Sequence, residues 1–241
     1  MLDRIWEATV ELVLMSWSGG KDSAMAMSEI LQSGNHRIAA VLTTVTEGYD
    51  RISMHGVRRS LLRLQVESIG IPLEEVFISK NSSNEEYETN MRKALTRYRN
   101  VGVTSVVFGD IFLEDLRKYR VDKLALLNMK CIFPLWKRDT KELAHSFIKA
   151  EFKAVTTCVD TKVLGKEFVG REIDEAFLTE LPPNIDPCGE NGEYHSFVYD
   201  GPIFKKRVPF SLGERILREE RFYYCDLVAD EEQGQYQERA V

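Results

Sequence analysis

The sequence predicts an α/β fold, with a five-stranded parallel sheet covered by helices on both faces and then a smaller α+β C-terminal domain. Three observations lead there. Short β-branched runs alternate with segments of helical period as far as Trp136. Those runs are largely apolar instead of strictly alternating, as buried strands of a parallel sheet are. After Trp136 the rhythm breaks, and Gly, Pro, Asn and Asp become dense.

ELVLMSW (11–17) is a short apolar run followed by glycines, hence a buried strand. From Asp22 to Ser33, Ala24, Met27, Ile30 and Leu31 recur at helical spacing. RIAAVLTTV (37–45) is a second strand. Val57 to Ile69 is a helix with one leucine and valine stripe, stopped by Gly70. LEEVFIS (73–79) is the third strand, Asn84 to Tyr98 a helix ending near Gly102, VTSVVFGD (103–110) the fourth strand, Leu113 to Met129 a helix, and KCIFPLW (130–136) the fifth strand. This order is that of a Rossmann-like sheet. Beyond it, DTKELAHSFIKAEF (139–152) is a helix and KAVTTCVDT (153–161) a strand. VGREIDEAFLTEL (169–181) is a helix stopped by Pro182 and Pro183, and SFVY (196–199) is a strand. The expected domains are 1–136 and 137–241, with a polar, frayed tail over DEEQGQYQERAV (230–241).

A chain of 241 residues can bury one large core or a core plus a smaller lobe. No apolar run approaches the ~20 residues that span a bilayer, and MLDRIWEATVELVLM does not read as a secretory signal. The four cysteines are scattered, without a CxxC pair, which suits reduced thiols in a cytoplasmic protein and disfavours a structural zinc site. The net charge of -6 disfavours a broad nucleic-acid surface. GVRRSLLR (56–63) and LRKYR (116–120) are the densest basic stretches, and both read as solvated helix faces.

SGGKDS (18–23) lies between the first strand and the first helix, where open parallel sheets bind ligands. A helix N-terminus carries unpaired N–H groups and partial positive charge, which suits phosphate. Gly19 and Gly20 permit a tight turn and close approach of phosphate oxygens, and Ser18 and Ser23 offer hydroxyls. Lys21 opposes the helix dipole, at a cost of roughly 0.3–1 kcal/mol that a bound polyphosphate would reverse. The bland alternative is a glycine turn with Asp22 as N-cap. A Walker A loop is excluded, since it needs glycine where Met15 stands and Ser or Thr where Asp22 stands.

A second cluster, GENGEYHSFVYDGP (189–202), gathers Glu190, Asn191, Glu193, His195 and Asp200 around glycines. These groups suit metal binding, ammonia positioning or orientation of a carboxyl group. A polar Asn-Gly hairpin with a structural histidine suits them equally.

SGGKDS matches the PP-loop pattern SGGxDS, so the chain resembles the adenine-nucleotide alpha-hydrolase group, the N-type ATP pyrophosphatases, with a sheet of PP-loop/HUP type. Together with FGDI (108–111), PLW (134–136) and GENGEYHSF, the motifs resemble the diphthine–ammonia ligase family from about Val13 to about Phe210. The resemblance implies an ATP-dependent ligase that forms AMP and pyrophosphate, adenylating an acceptor carboxylate which ammonia then attacks. In the family that acceptor is diphthine on an elongation factor. GDIFLEDLRKYR and DPCGENGEYH are similar to the family's bacterial branch, which implies, for a bacterial source, a different acceptor on a protein or a small molecule.

Carried over residue by residue, Ser18, Gly19, Gly20, Lys21, Asp22 and Ser23 would form the ATP phosphate site. Thr43 and Thr44 are either adenosine contacts or plain strand residues. Gly109 and Asp110 end the fourth strand at the same sheet edge. Asp22 and Asp110 are the acids expected to meet Mg2+, although Asp110 also suits a helix cap. Glu190, Asn191, Glu193 and His195 would form the acceptor side, with Lys21, Glu190, Glu193 and His195 in catalytic roles. Cys188 is either a sulfur carrier or a buried thiol. Two other readings stay open: a PP-loop sulfurtransferase acting on tRNA, and a non-enzymatic ATP sensor. Self-association also stays open.

Overall fold

A computed structural model of the protein describes residues 10–48, 50–52, 56–80 and 83–230. The readings made on the first nine residues and on the tail from 231 onward lie outside them. The chain runs β1 (Glu11–Ser16), α1 (Lys21–Ser33), β2 (His36–Thr46), β3 (Arg51–Ile52), α2 (Arg59–Ile69), β4 (Leu73–Ile78), α3 (Asn84–Asn100), β5 (Ser105–Val107), α4 (Glu114–Ala125) and β6 (Lys130–Ile132). It continues with α5 (Thr140–Lys149), β7 (Lys153–Asp160), a 3-10 turn (Lys166–Phe168), α6 (Glu175–Glu180), β8 (Tyr194–Asp200), β9 (Phe210–Arg218) and β10 (Phe222–Ala229).

The five strands expected from sequence pair in parallel, in the order β4–β2–β1–β5–β6. The two-residue β3 adds an antiparallel partner beside β2. Val13, Leu14 and Met15 of the central strand are completely buried, which is why that run is apolar without alternation. From β1 the chain winds outward through β2 to β4, then returns to the other side of β1 for β5 and β6. The winding reverses between β1 and β5, and a crevice opens there at the carboxyl ends of the strands.

The second sheet is antiparallel, in the order β8–β7–β10–β9. It packs on the far side of α1 and α2, with α1 against β8 and α2 against β10. These two helices are therefore sandwiched between sheets. Ala24, Met25, Ala26, Met27 and Ser28 are all buried, so α1 is covered all round, as a helix between two layers must be. Leu61 and Leu62 of α2 are fully buried, each worth about 1.5–3 kcal/mol of transfer free energy. One buried cluster joins β1, α1 and α2 to β7, β8 and β10, and a smaller one lies under α3 and α4. A division into units near residue 136 remains a proposal about the two sheets, since the packing between them is continuous.

Several local expectations need correction. The segment 169–181 is helical only over Glu175–Glu180. Glu172 bridges Val155, the Ile173 N–H bonds to the Ala154 carbonyl, and Asp174 caps the helix through the Phe177 N–H at 2.7 Å. Of the arginines in GVRRSLLR only Arg63 is solvated. Arg58, joined by Arg51, pairs with Asp226 of β10 at 2.6 and 2.7 Å, and Arg59 pairs with Glu75 at 2.6 Å. Of the basic residues in LRKYR only Lys118 follows the expectation, pairing with Asp122 at the surface. Arg117 lies over the Trp136 ring, 4.9 Å from its centre, and Arg120 turns inward to Asp110. Among the described residues, no helix is long and apolar enough to cross a membrane.

Candidate active site

α1 lacks a side-chain cap from its own N-cap residue, Gly20, as do α2 and α4 from theirs, whereas Ser83, Asp139 and Asp174 cap α3, α5 and α6. Asp22 sits inside the first turn, so the N-cap alternative fails. Gly19 takes φ +78°, and an added Cβ would meet Gln65 Oε1 at 2.6 Å. Ser23 Oγ donates to the Gly20 carbonyl at 2.8 Å, and Ser18 Oγ lies 3.2 Å from Ser23 Oγ. Within this frame Lys21 is buried. Its Nζ bonds both Asp22 oxygens, at 2.9 and 2.8 Å, and lies 5.3 Å from the centre of the Tyr194 ring. Burial pulls the ammonium pKa down, but Asp22 and the other groups around it more than reverse this, so the net shift is upward and the cation is held. The dipole penalty expected for Lys21 is thus already offset within the chain by Asp22.

Partners distant in sequence hold the turn from outside. The Lys21 N–H donates to Ser196 Oγ at 3.1 Å, and the Val198 N–H donates to the Gly19 carbonyl at 2.9 Å, both from β8. Gln65 of α2 donates through Nε2 to the carbonyls of Gly19 (3.0 Å) and Val198 (2.5 Å) and accepts from the Trp17 indole at 3.2 Å.

Beside the turn, β5 runs into Gly109 and Asp110. A Cβ on Gly109 would meet the Asp22 backbone at 2.8 Å, so this glycine permits the strand end to touch α1. Asp110 does not cap α4, whose N-cap is Leu113. It pairs with Arg120, whose Nε lies 2.8 Å from Oδ2, off the hydrogen-bonding line, while Nη2 bonds Oδ1 at 3.1 Å. The guanidinium sits 4.2 Å from the Phe108 ring centre. Burial raises the pKa values of both Asp22 and Asp110, against the pull of Lys21 and Arg120. Asp22's charge also raises Asp110. Among the described residues no three acidic, histidine or cysteine side chains gather into a metal-holding group, so an ion here would rest on these two carboxylates and on phosphate oxygens, as Mg2+ typically does. Thr43's hydroxyl is committed to the Trp17 carbonyl, while Thr43 and Thr44 both line the cleft.

The GENGEYH segment brings one acid across. Glu190 Oε1 accepts the Ile111 N–H at 2.7 Å, fastening this loop to the residues just after Asp110. Burial, with Asp22's charge added, pushes the Glu190 pKa up to about 7. Glu193 is turned inward instead. It accepts from the Asp186 and Asn191 N–H groups and from Asn191 Nδ2, at 3.0–3.2 Å. Gly189 (φ +64°) packs on Tyr194, whose hydroxyl donates to the Pro187 carbonyl at 2.6 Å. His195 is partly buried on β8, its pKa pulled down to about 4 by burial and by Lys21, so it is a neutral imidazole near pH 7. Cys188 is buried and donates to the Thr140 carbonyl at 3.2 Å, and burial pushes its thiol up to about 12. A protonated, enclosed thiol is a poor sulfur carrier.

The two segments wall one cleft of about 740 Å³, with α3 and α4 completing it. That volume suits a nucleotide-sized ligand. Ser18, Gly20, Lys21, Asp22, Ser23, Thr43, Thr44, Gly109, Asp110, Glu190, Asn191 and His195 line it; Gly19 and Glu193 stand behind the wall. Sequence reading missed Arg120, Ser196 and Gln65. A signal for Gln65 existed: a lone glutamine one turn from Leu61, Leu62 and Ile69 on an apolar stripe.

A family model for the diphthamide synthase N-terminal domain matches residues 11–127, and one for the diphthamide synthase C-terminal domain matches residues 139–228. Curated relatives bearing the name diphthine–ammonia ligase include a Danio rerio protein, 28% identical over 225 residues, covering 83% of this chain and 86% of its own. The Homo sapiens protein is 26% identical over 224 residues, covering 83% of each chain. The Schizosaccharomyces pombe protein is 27% identical over 212 residues, covering 79% of this chain, which spans only 34% of that longer relative.

Proposed function

The chain belongs to the diphthamide synthase family of ligases, and on that premise we propose that it is an ATP-dependent amide ligase that forms AMP and pyrophosphate. The observation that carries this reading is the meeting of two motifs in one cleft: a glycine turn at a helix N-terminus with a held lysine, and a carboxyl group with a pKa of about 7.

In this reading the triphosphate lies on the Ser18–Ser23 turn, with Lys21 against the charge that accumulates on pyrophosphate. An acceptor carboxylate oxygen attacks the α-phosphorus, the bond from Pα to the bridging oxygen breaks, and pyrophosphate leaves. The acyl-adenylate carbon is then attacked by ammonia; the C–O bond to AMP breaks and a proton is shed. Glu190 receives that proton, its pKa lying near the working pH where base catalysis is most effective. Asn191 and neutral His195 orient the acceptor. Asp22 and Asp110 would hold a magnesium ion, which when bound supplies further neutralisation of the phosphates. Glu193, saturated by its own loop, shapes the site without touching substrate. The acceptor is diphthine, as in the name of the relatives, or another carboxylate of like size.

Incubation with α-labelled ATP, magnesium, ammonium and a panel of acceptor carboxylates tests this. Acceptor-dependent AMP and pyrophosphate are expected. Release of ADP, or no turnover with any acceptor, would count decisively against it.

A further inference from the structure

We infer that Gln65, outside both signature segments, is a positioning residue that fixes which way the Gly19–Gly20 peptide faces. This rests on the reading that phosphate binds the turn. Gln65 is completely buried on α2. Its amide orientation follows from chemistry: the indole N–H of Trp17 is only a donor, so the atom 3.2 Å from it is oxygen. The other amide atom is therefore nitrogen, donating to the Gly19 carbonyl at 3.0 Å and to the Val198 carbonyl at 2.5 Å. The Val198 N–H supplies a second donor to the Gly19 carbonyl, at 2.9 Å.

A trans peptide is planar, with its C=O and N–H pointing to opposite sides. Fastening the Gly19 oxygen toward Gln65 and β8 therefore points the Gly20 N–H the other way, where it donates to Ser18 Oγ at 3.3 Å on the side on which Ser18 and Gly20 line the cleft. A peptide between two glycines meets little steric resistance to rotation. If it rotated by half a turn, the carbonyl would face the cleft and repel a phosphate oxygen. Gln65 is one of two donors opposing that rotation, and it also braces Trp17 on the preceding strand end.

The test is calorimetric titration of ATP with magnesium, and of pyrophosphate, into the full chain and its variants, with melting temperatures measured in parallel. Gln65→Met keeps the volume but loses the donors; Gln65→Glu keeps the shape but sets a carboxylate against two carbonyls. Both should bind each ligand about tenfold more weakly, the equivalent of losing one well-placed hydrogen bond. Ser68→Ala is the control. Ser68 lies one turn along α2 and ties Lys206, in the connection from β8 to β9, to the helix, away from the turn. It should lower the melting temperature without changing affinity. Gln65 variants that melt earlier yet bind like wild type would overturn the inference alone, provided Lys21→Ala binds weakly. Equal binding by wild type and Lys21→Ala would overturn the phosphate-site reading and this one with it. Should both Gln65 variants unfold, glycine-labelled wild-type protein decides by NMR. Pyrophosphate should move the Gly20 amide and leave the Gly19 carbonyl in place, and equal movement of both would refute the inference.

Discussion

The two signature segments face the same cleft but are built in opposite ways. The turn at 18–23 is held from outside, by Gln65 of α2 and by Ser196 and Val198 of β8. The loop from Asp186 to Tyr194 holds itself. Asp186 accepts the N–H groups of Cys188 and Glu190, Glu193 accepts three donors from its own loop, and Tyr194 closes onto Pro187. A phosphate site needs backbone N–H groups left for its ligand, so other elements must supply the rigidity. A loop that positions one carboxylate can spend its remaining acids on itself. Of the acids in GENGE, Glu190 is therefore the one proposed for chemistry, and Glu193 is the one proposed for shape.

Substitutions can break or sharpen this contrast. The largest effect is expected at Lys21. Lys21→Ala should lower the rate of acceptor-dependent AMP release by about 10²–10³-fold, as removal of one preorganised electrostatic partner does. Circular dichroism should show the fold intact, and a variant within twofold of wild type would remove Lys21 from the reaction.

Glu190→Gln comes next. The amide keeps an acceptor for the Ile111 N–H, so ATP titration should be unchanged while turnover drops by about 10²-fold. In the wild type the rate should climb with pH through about 7, as this carboxyl ionises, and the variant should lose that limb. Its stability should move the other way. The folded protein holds this proton more tightly than the unfolded chain, so the wild type loses stability as pH rises from 4.5 through about 7. Glu190→Gln, unable to ionise, should escape that loss, as urea unfolding across the range would reveal.

Glu193→Ala tests the shape role. It leaves three loop donors without their acceptor and should cost about 1–3 kcal/mol in urea unfolding. ATP affinity should stay close to wild type, and a variant of full stability with abolished turnover would reverse the assignments of the two glutamates. The smallest effect is expected at Cys188. Cys188→Ala removes a buried S–H donor, and turnover should stay within about twofold, because a thiol pushed to about 12 has almost no thiolate to offer near neutral pH. Loss of turnover with an unchanged fold would revive a sulfur-carrying role.

Much was legible in the chain before any coordinates. Buried parallel strands announce themselves because both faces must be apolar, and this located β1, β2 and β5; β4 and β6 are edge strands, only partly buried, and were legible through their place in the alternation with helices. Gly70, read as a stop, ends α2 in the left-handed region that glycine favours. The β9–β10 hairpin escaped because its turn uses Glu219 and Glu220, with φ of 51° and 52°. Those are the conformations of a tight hairpin turn normally signalled by Asn-Gly. α6 was drawn too long because Glu172 and Ile173 bond to β7, a non-local pairing that periodicity does not register.

The sequence alone determined the local chemistry: a glycine turn after a buried strand, a lysine at its helix N-terminus, and a carboxylate-bearing loop downstream. These are properties of neighbours in the chain, where backbone freedom and side-chain type act within a few residues. Tertiary structure alone decided which of those groups are spent and which are presented. Asp110 meets Arg120, Thr43 bonds Trp17, Glu193 turns inward and Glu190 crosses to Ile111. Gln65, 46 residues along the chain from Gly19, sets the turn's peptide because α2 packs against the sheet that carries β8. Hydrogen bonds saturate, so a group's role depends on who reaches it first, and that depends on packing between segments far apart in the chain.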